Sequence, residues 1–382
     1  MKLPVPSPEA LALSAVLRRK TEDVISQDGG WISFARYMEM ALYEPGLGYY
    51  SHGGQVFGRQ GDFVTAPEIS PLFGQTIARS IQPFFAQSAC HIMEIGAGSG
   101  RFACDILKAL AQQDIIPERY DILDLSGSLK QRQQEMLAPF PQVRWIDRLP
   151  QAFTGVILGN EVLDAMPVQR VVKNEGKWHE LGVSASKDRF VFEARPADVA
   201  LLARIALQIP DAKGLPNGYV TEVHPHACAF VRTLGDMLNA GEGGVALLID
   251  YGYPAREYYL PERSQGTLMS YYRHYVHADP FLHIGLQDIT AHVDFSAVAG
   301  AATESGMDLL CYAGQAGFLL ANGITELLLQ ISPKAAVHYL PETKKVQMLL
   351  SPAEMGELFK VMIFGNLDLP PYLASIDRSE RL

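Results

Sequence analysis

The stretch with the clearest capacity for chemistry is His91-Ile-Met-Glu-Ile-Gly-Ala-Gly-Ser-Gly-Arg101. An apolar run carrying one acid, Glu94, meets Gly96, Gly98 and Gly100, after which Phe102, Ile106, Leu107 and Leu110 recur at helical spacing. The pattern predicts a strand, a tight turn and a helix. Glycine serves where a backbone turns sharply and where a ligand must approach it without meeting a Cβ. The helix start aims unpaired N–H groups and the positive end of its dipole at the same place. Two ligand classes use such turns, and a purely structural turn is a third possibility. A dinucleotide fingerprint runs G-x-G-x-x-G/A, its last small residue letting the helix pack on the strand. Here the frame is G-x-G-x-G, and the slot for that small residue falls on Arg101, which does not suit the packing.

The elements that must position this turn follow from periodicity. Strands are expected at 91–95, 119–124, 143–146 and 154–158, with helices at 100–113 and 127–138 between the first three. Such alternation predicts an α/β fold with a parallel sheet and helices on both faces. Ligands of doubly wound sheets sit at the carboxyl ends of the strands. That rule selects the glycine turn, Asp124 after the second strand, Asp147 after the third, and Gly159-Asn-Glu-Val-Leu-Asp-Ala-Met-Pro167 after the fourth. Asp124 can take both hydroxyls of a ribose as a bidentate acceptor. Asp147 could receive an adenine amino group, or could simply occupy the turn before Pro150.

Ahead of the first strand, amphipathic helices are expected at 9–26 and from Ser33. The loop Gly61-Asp-Phe-Val-Thr-Ala-Pro-Glu68 follows, and Ser70-Pro71 opens a further helix. Asp62, Thr65 and Glu68 make that loop a candidate lid, or they merely cap turns. Residues 169–195 alternate around Asn174-Glu-Gly and Lys187-Asp, which predicts inserted antiparallel strands. Helices are expected at 197–207 and 225–239, a strand at 219–223, and another strand from Gly243 to Tyr251 ending in Asp250-Tyr-Gly. Residues 253–293 are expected to be irregular. Beyond a helix at 295–305, helices at 315–330 and 351–362 and a strand at 346–350 complete the chain, with a frayed tail. The domain plan is therefore an N-terminal helical cap and lid loop (1–85), a core (86–365) with insertions at about 169–215 and 253–293, and a tail (366–382).

Composition limits the functions available. The chain has 382 residues, 48% hydrophobic and 19% charged, which suits a packed core and not global disorder. A net charge of −10 argues against a general nucleic-acid binder. Cys90, Cys104, Cys228 and Cys311 form no C-x-x-C, which fits buried thiols in a reducing compartment. No apolar run is long enough to span a membrane, and Met1-Lys-Leu-Pro-Val-Pro-Ser-Pro lacks the apolar core of a secretory signal, so the expected location is cytoplasmic. His274 and His277 have an H-x-x-H look without converging supporting ligands, and no metal is expected. The oligomeric state is not legible.

An acid two residues before the first glycine, with glycine at every second place, resembles motif I of class I methyltransferases, where the turn holds S-adenosylmethionine. Three stretches together resemble the MidA-like methyltransferases: Gly61-Asp-Phe-Val-Thr-Ala-Pro-Glu-Ile-Ser-Pro-Leu-Phe-Gly74, the Glu94/Gly96/Gly98/Gly100 turn, and Asn160-Glu-Val-Leu-Asp-Ala-Met-Pro167. Agreement continues through Asp250-Tyr-Gly252, Gly266-Thr-Leu, Asp279-Pro280, Gln287 to Phe295 and Gln315 to Gly323. The resemblance covers roughly 30–365. It departs at Asp124, where the family usually has Glu, and at Ala97, where Pro is frequent. It implies a Rossmann-like class I methyltransferase sheet and S-adenosylmethionine as cofactor, held by Glu94, Gly96, Gly98, Gly100, Asp124, Asp147, Asp62 and Thr65. The family includes the mitochondrial assembly factor of respiratory complex I, an arginine methyltransferase. The resemblance thus implies a protein partner, such as a complex I subunit, and a mitochondrial location for the eukaryotic relatives.

A guanidinium acceptor makes its own demand. Its lone pairs are delocalised and it stays protonated, so carboxylates must hold its fork and offset its charge. Asn160, Glu161 and Asp164 are the candidate catalytic residues, with Glu161 and Asp164 expected on one face of a helical turn. A cofactor-binding assembly factor with little catalysis, a small-molecule methyltransferase and a nicotinamide dehydrogenase are the competing functions, the last disfavoured by Arg101.

Overall fold

The apolar runs of the middle of the chain become parallel strands. A computed structural model describes residues 3–52, 64–187, 189–331 and 336–382. The chain forms two compact units. One comprises Val64–Val162, Phe230–Gly252 and Ala299–Leu382; the other comprises Met1–Phe63, Leu163–Ala229 and Tyr253–Val298.

In chain order the first strands are β1 (His91–Ile95), β2 (Arg119–Leu123), β3 (Val143–Ile146) and β4 (Gly155–Asn160). Then come β5 (Gln169–Asn174), β6 (Lys177–Ser186), β7 (Arg189–Pro196), β8 (Val220–Val223) and β9 (Gly244–Tyr253). The short β10 (Met269–Tyr272), β11 (Tyr275–His277), β12 (Asp288–Thr290) and β13 (Val293–Asp294) precede β14 (Asp308–Gly314) and β15 (Phe359–Gly365).

In the first unit the sheet order is β14-β15-β9-β4-β1-β2-β3. Strands β3, β2, β1, β4 and β9 pair in parallel, whereas β15 runs antiparallel to both β9 and β14. The expected α/β class and parallel core are present, with an antiparallel edge that periodicity did not announce. Strands β9 and β15 are buried almost throughout, which is why they read as continuous apolar runs.

The helix Pro71–Phe85 starts as expected, with the Ser70 side chain accepting from the Leu72 amide and Pro71 in the first turn. Its Phe73, Ile77, Ile81 and Phe84 are fully buried in the same core as Ile106, Leu107 and Leu110 of the helix Arg101–Ala111. Burying each such side chain contributes roughly 1.5–3 kcal/mol.

The C-terminal third corrects the sequence expectation. The helix runs from Ala336 to Leu350 and the strand from Phe359 to Gly365, the reverse of a strand at 346–350 and a helix at 351–362. Pro352 disfavours helix at Ser351 and ends it there. Phe359-Lys-Val-Met-Ile-Phe-Gly365 is a short apolar run, and periodicity alone does not separate a buried strand from a buried helix. Lys360, which breaks the run, is buried and donates its ammonium to the carbonyls of Glu357 and Leu358. The expected helix 315–330 is two helices, Gln315–Ala321 and Ile324–Gln330, parted by Gly323 at φ 80°. The end of the chain packs: Leu373 is fully buried, and Asp377 Oδ1 accepts from the Tyr312 amide at 2.9 Å.

The other unit holds the helices Pro8–Gln27 and Phe34–Tyr43, the second capped by Ser33 as expected. The predicted antiparallel insertion is a sheet of order β7-β6-β5-β8. Residues 253–293, expected to be irregular, contain a second sheet of order β11-β10-β12. Arg273 and His274 form its two-residue hairpin turn, both left-handed at φ 46° and 66°. Such turns usually carry Asn-Gly, so Arg-His concealed the hairpin. His274 is thus a turn residue. Among the described residues no group of three or more His, Cys, Asp or Glu could hold a metal ion, and no helix is long and apolar enough to cross a membrane.

Gly155 opens β4 at φ 129°, and a Cβ there would lie 2.4 Å from the His91 carbonyl oxygen. Gly155→Ala should therefore lower stability by about 1–3 kcal/mol, the range for a residue forced into a glycine-only conformation. A urea-denaturation midpoint equal to that of the unaltered protein would refute this.

Candidate active site

The site is built at the carboxyl ends of β1, β2 and β4. β1 lies between the other two, with Glu94 in register with Ile122 on one side and Leu158 on the other. Beyond Ile95 the chain turns through Gly96, Gly98 and Gly100, all left-handed at φ 67°, 54° and 84°. The Gly96 amide donates to Leu123 O at 2.9 Å, which ties the turn to the end of β2. A Cβ on Gly96 would press on Val162 at 3.2 Å, and one on Gly100 would press on the Gln133 backbone at 3.3 Å. Conformation thus favours glycine at all three positions, and close approach adds to it at Gly96 and Gly100.

Glu94 is buried and accepts from the Tyr120 hydroxyl at 2.6 Å. Burial pushes its carboxyl up to about 8; the Tyr120 bond opposes the rise and nearby Asp124 adds to it. Asp124 follows β2. Its Oδ1 accepts from the Ser126 amide at 2.9 Å and its Oδ2 from Gln133 Nε2 at 2.8 Å. Burial raises Asp124 above the usual carboxylate range, with Ser126, Gln133 and the Gly98 amide opposing the rise. Asp147, after β3, is nine-tenths exposed (91%) and meets Lys130 Nζ at 3.2 Å.

At the end of β4 the expected helical turn is absent: residues 161–166 are bends and a turn. Glu161 takes a left-handed φ of 53° and donates its amide to Ile249 O at 2.8 Å, and Val162 donates to Asp250 Oδ2 at 3.1 Å. These bonds to β9, with Pro167 ahead, hold the segment away from helix, so the one-face argument for Glu161 and Asp164 does not apply. Asn160 Nδ2 donates to Glu161 Oε1 at 3.2 Å. Asn160 Oδ1 is buried and has no hydrogen-bond partner among the described residues. A buried acceptor left in this way is costly unless a ligand supplies a donor. Asp164 belongs to the other unit, where its side chain is buried and its carbonyl accepts from the Ala291 amide at 3.0 Å.

Of the lid loop, Asp62 lies outside the described residues. Thr65 is buried and precedes the short helix Ala66–Ile69, its side chain making no capping bond. Glu68 in that helix accepts from Ser99 Oγ, which ties the segment to the glycine turn. Sequence reasoning placed the turn and the acids at the strand ends. It missed Tyr120, Gln133 and Trp145, and the anchoring role of Asp250, because each acts through a partner distant in sequence.

This geometry suits a ligand with donors for the carboxylates and a small body over the glycines. Residues 73–313 match a family of S-adenosyl-L-methionine-dependent methyltransferases. The chain belongs to that family. A crystal structure from Burkholderia thailandensis bound to S-adenosyl-homocysteine is 49% identical, covers 100% of both chains and superposes with a TM-score of 0.94. A native crystal structure from the same organism is 48% identical over 100% of both chains, with a TM-score of 0.91. A Drosophila melanogaster homologue, named a mitochondrial protein arginine methyltransferase, is 29% identical across 87% of this chain and 81% of its own. The human protein of that name is 27% identical across 86% of this chain and 79% of its own. The cofactor of this methyltransferase is S-adenosylmethionine. The left-handed glycines, the carboxylates of Glu94 and Asp124 and the orphaned Asn160 oxygen fit it.

The raised carboxyl of Glu94 has a consequence for stability. The unfolded chain loses this proton near 4.5, the folded methyltransferase only near 8. Between those values the folded state binds more protons, so this contribution is complete below pH 4.5 and is lost as pH rises through about 8. Glu94→Gln, which keeps an acceptor for Tyr120, should flatten the fall in denaturation midpoint from pH 5 to pH 8. Parallel profiles for the two proteins would show that Glu94 ionises normally.

Proposed function

We propose that this methyltransferase modifies an arginine side chain of a partner protein, with a subunit of a respiratory complex or a similar assembly as the partner. The names carried by the Drosophila and human relatives support an arginine acceptor. The observation that carries the proposal is Glu161, a carboxylate held in a left-handed conformation at the end of β4. A non-glycine residue in that region costs of order 1–3 kcal/mol and persists where the surroundings impose it, commonly at functional sites.

In this proposal Glu94, Gly96, Gly98, Gly100 and Asp124 hold the cofactor, Asp124 through the ribose hydroxyls, with Asp147, Asp62 and Thr65 as further contacts. When bound, S-adenosylmethionine supplies an electrophilic methyl group on a sulfonium whose leaving thioether is neutral. Glu161 takes two guanidinium N–H groups, offsets the cation and leaves one nitrogen aimed away from the carboxylate. That alignment turns an encounter into an oriented one. The methylated nitrogen must lose one proton, and in this proposal the Glu161 carboxylate receives it. Asn160 steadies Glu161 through its amide. Asp164, three residues beyond Glu161, is the proposed second acid. All four cysteines are free thiols, which fits a reducing compartment such as the cytoplasm.

The test uses tritiated S-adenosylmethionine with protein fractions and with the small-molecule fraction of a strain lacking the gene. Label should appear in protein, and mass spectrometry should find it as methylarginine. Glu161→Gln should cut kcat by about 100- to 1000-fold, the scale on which one charge-stabilising group acts. Its affinity for S-adenosylhomocysteine should stay within about threefold of the unaltered protein. Label confined to small molecules, label on no acceptor, or parallel loss of cofactor binding would each overturn the proposal.

A further inference from the structure

Behind the glycine turn lies a buried amide whose every polar atom is committed. Gln133, in the helix Gly127–Leu137, is fully buried. Its Nε2 donates to Asp124 Oδ2 at 2.8 Å and to Gly98 O at 2.9 Å. Its Oε1 accepts from Trp145 Nε1 at 2.9 Å. An indole N–H can only donate, so Trp145 dictates which end of the amide faces it. The flipped amide would set N–H against N–H at Trp145, and oxygen against the Asp124 carboxylate and the Gly98 carbonyl. Leaving buried polar groups mismatched in this way is heavily disfavoured. The Ser126 amide holds the other oxygen of Asp124, so both carboxylate oxygens are tethered. The close approach of Gly100 to the Gln133 backbone allows the helix to reach the turn at all.

We propose that Gln133, oriented by Trp145, is a positioning residue that fixes the Asp124 carboxylate and the glycine turn as one rigid cradle for the cofactor ribose. This rests on the assignment of Asp124 as the ribose acceptor. Gln133 touches neither methyl group nor acceptor in this proposal. Its loss should appear in cofactor affinity and leave turnover at saturation nearly intact. Trp145 packs on the core but influences the cofactor through Gln133, so its effect on cofactor affinity should vanish once Gln133 has been replaced.

The experiment measures KM for S-adenosylmethionine, kcat, and S-adenosylhomocysteine affinity by calorimetry in the full-length protein. Gln133→Met keeps the length and removes the donors; KM and Kd should rise about tenfold, with kcat within about threefold. Gln133→Glu sets a carboxylate against Asp124, and KM should rise further. Trp145→Phe should give a smaller rise, and Gln133→Met combined with Trp145→Phe should bind no worse than Gln133→Met alone. Additive losses in the double variant, or kcat and stability falling with KM unchanged, would show a merely structural role and overturn the proposal. Asp124→Asn separates the two assignments. If it binds cofactor normally, the ribose assignment fails; if it binds weakly while Gln133→Met binds normally, only the positioning role fails. Should Gln133→Met not fold, the Gln133 side-chain amide signals in the unaltered protein decide: they should exchange slowly with solvent before cofactor is added. Rapid exchange would overturn the proposal.

Discussion

The structure depends on how the chain leaves β1. At that edge three strands end side by side, and backbone, acids and a following helix compete for one small volume. Gly96, Gly98 and Gly100 resolve the competition by taking left-handed conformations that residues with a Cβ adopt only with strain. The Gly96 amide then caps the end of β2, and the Gly100 carbonyl starts the helix. The acids Glu94, Asp124 and Glu161 are brought to one edge because their strands are neighbours in the sheet, not because they are close in sequence.

The surroundings of these acids differ in kind. Glu94 accepts from the Tyr120 hydroxyl, and burial drives its carboxyl up to about 8. Asp124 is met by amide donors, which favour the ionised form and oppose the same burial effect. Burial raises both carboxyls, and the donors around Asp124 offset more of that rise than the single hydroxyl on Glu94. The tether from Gln133 and Ser126 also removes the rotational freedom Asp124 would otherwise lose on meeting a ligand, the general route by which preorganisation strengthens binding. At the end of β4 the backbone itself is committed: the bonds from Glu161 and Val162 to β9 pull the chain out of helical geometry.

Much of this was legible in the residues. Ser33 and Ser70 marked their helix starts, the glycine turn stood out, and the alternation of apolar runs called for a parallel sheet. Asp124 and Glu161 were placed by the rule that ligands meet strand ends. The failures share one cause. At 359–365 a short apolar run suits a buried strand or a buried helix equally, and only pairing to β9 and β14 decides between them. Arg273-His274 makes a turn that its residue types do not advertise. The one-face argument for Glu161 and Asp164 assumed a local helix where hydrogen bonds to β9 prevail.

What the sequence determined by itself was therefore local: which segments could be strands, where glycine freed the backbone, and where acids followed apolar runs. These depend on φ preferences and side-chain period, both of which act over a few residues. Only the tertiary structure decided that Gln133 reaches across to Asp124 and Gly98, that Trp145 sets its orientation, and that Asp250 holds the bend after β4. Those bonds join residues that the sheet and its helices bring together, and the burial of Gln133 and Asp250 is what makes a partner necessary for their polar atoms.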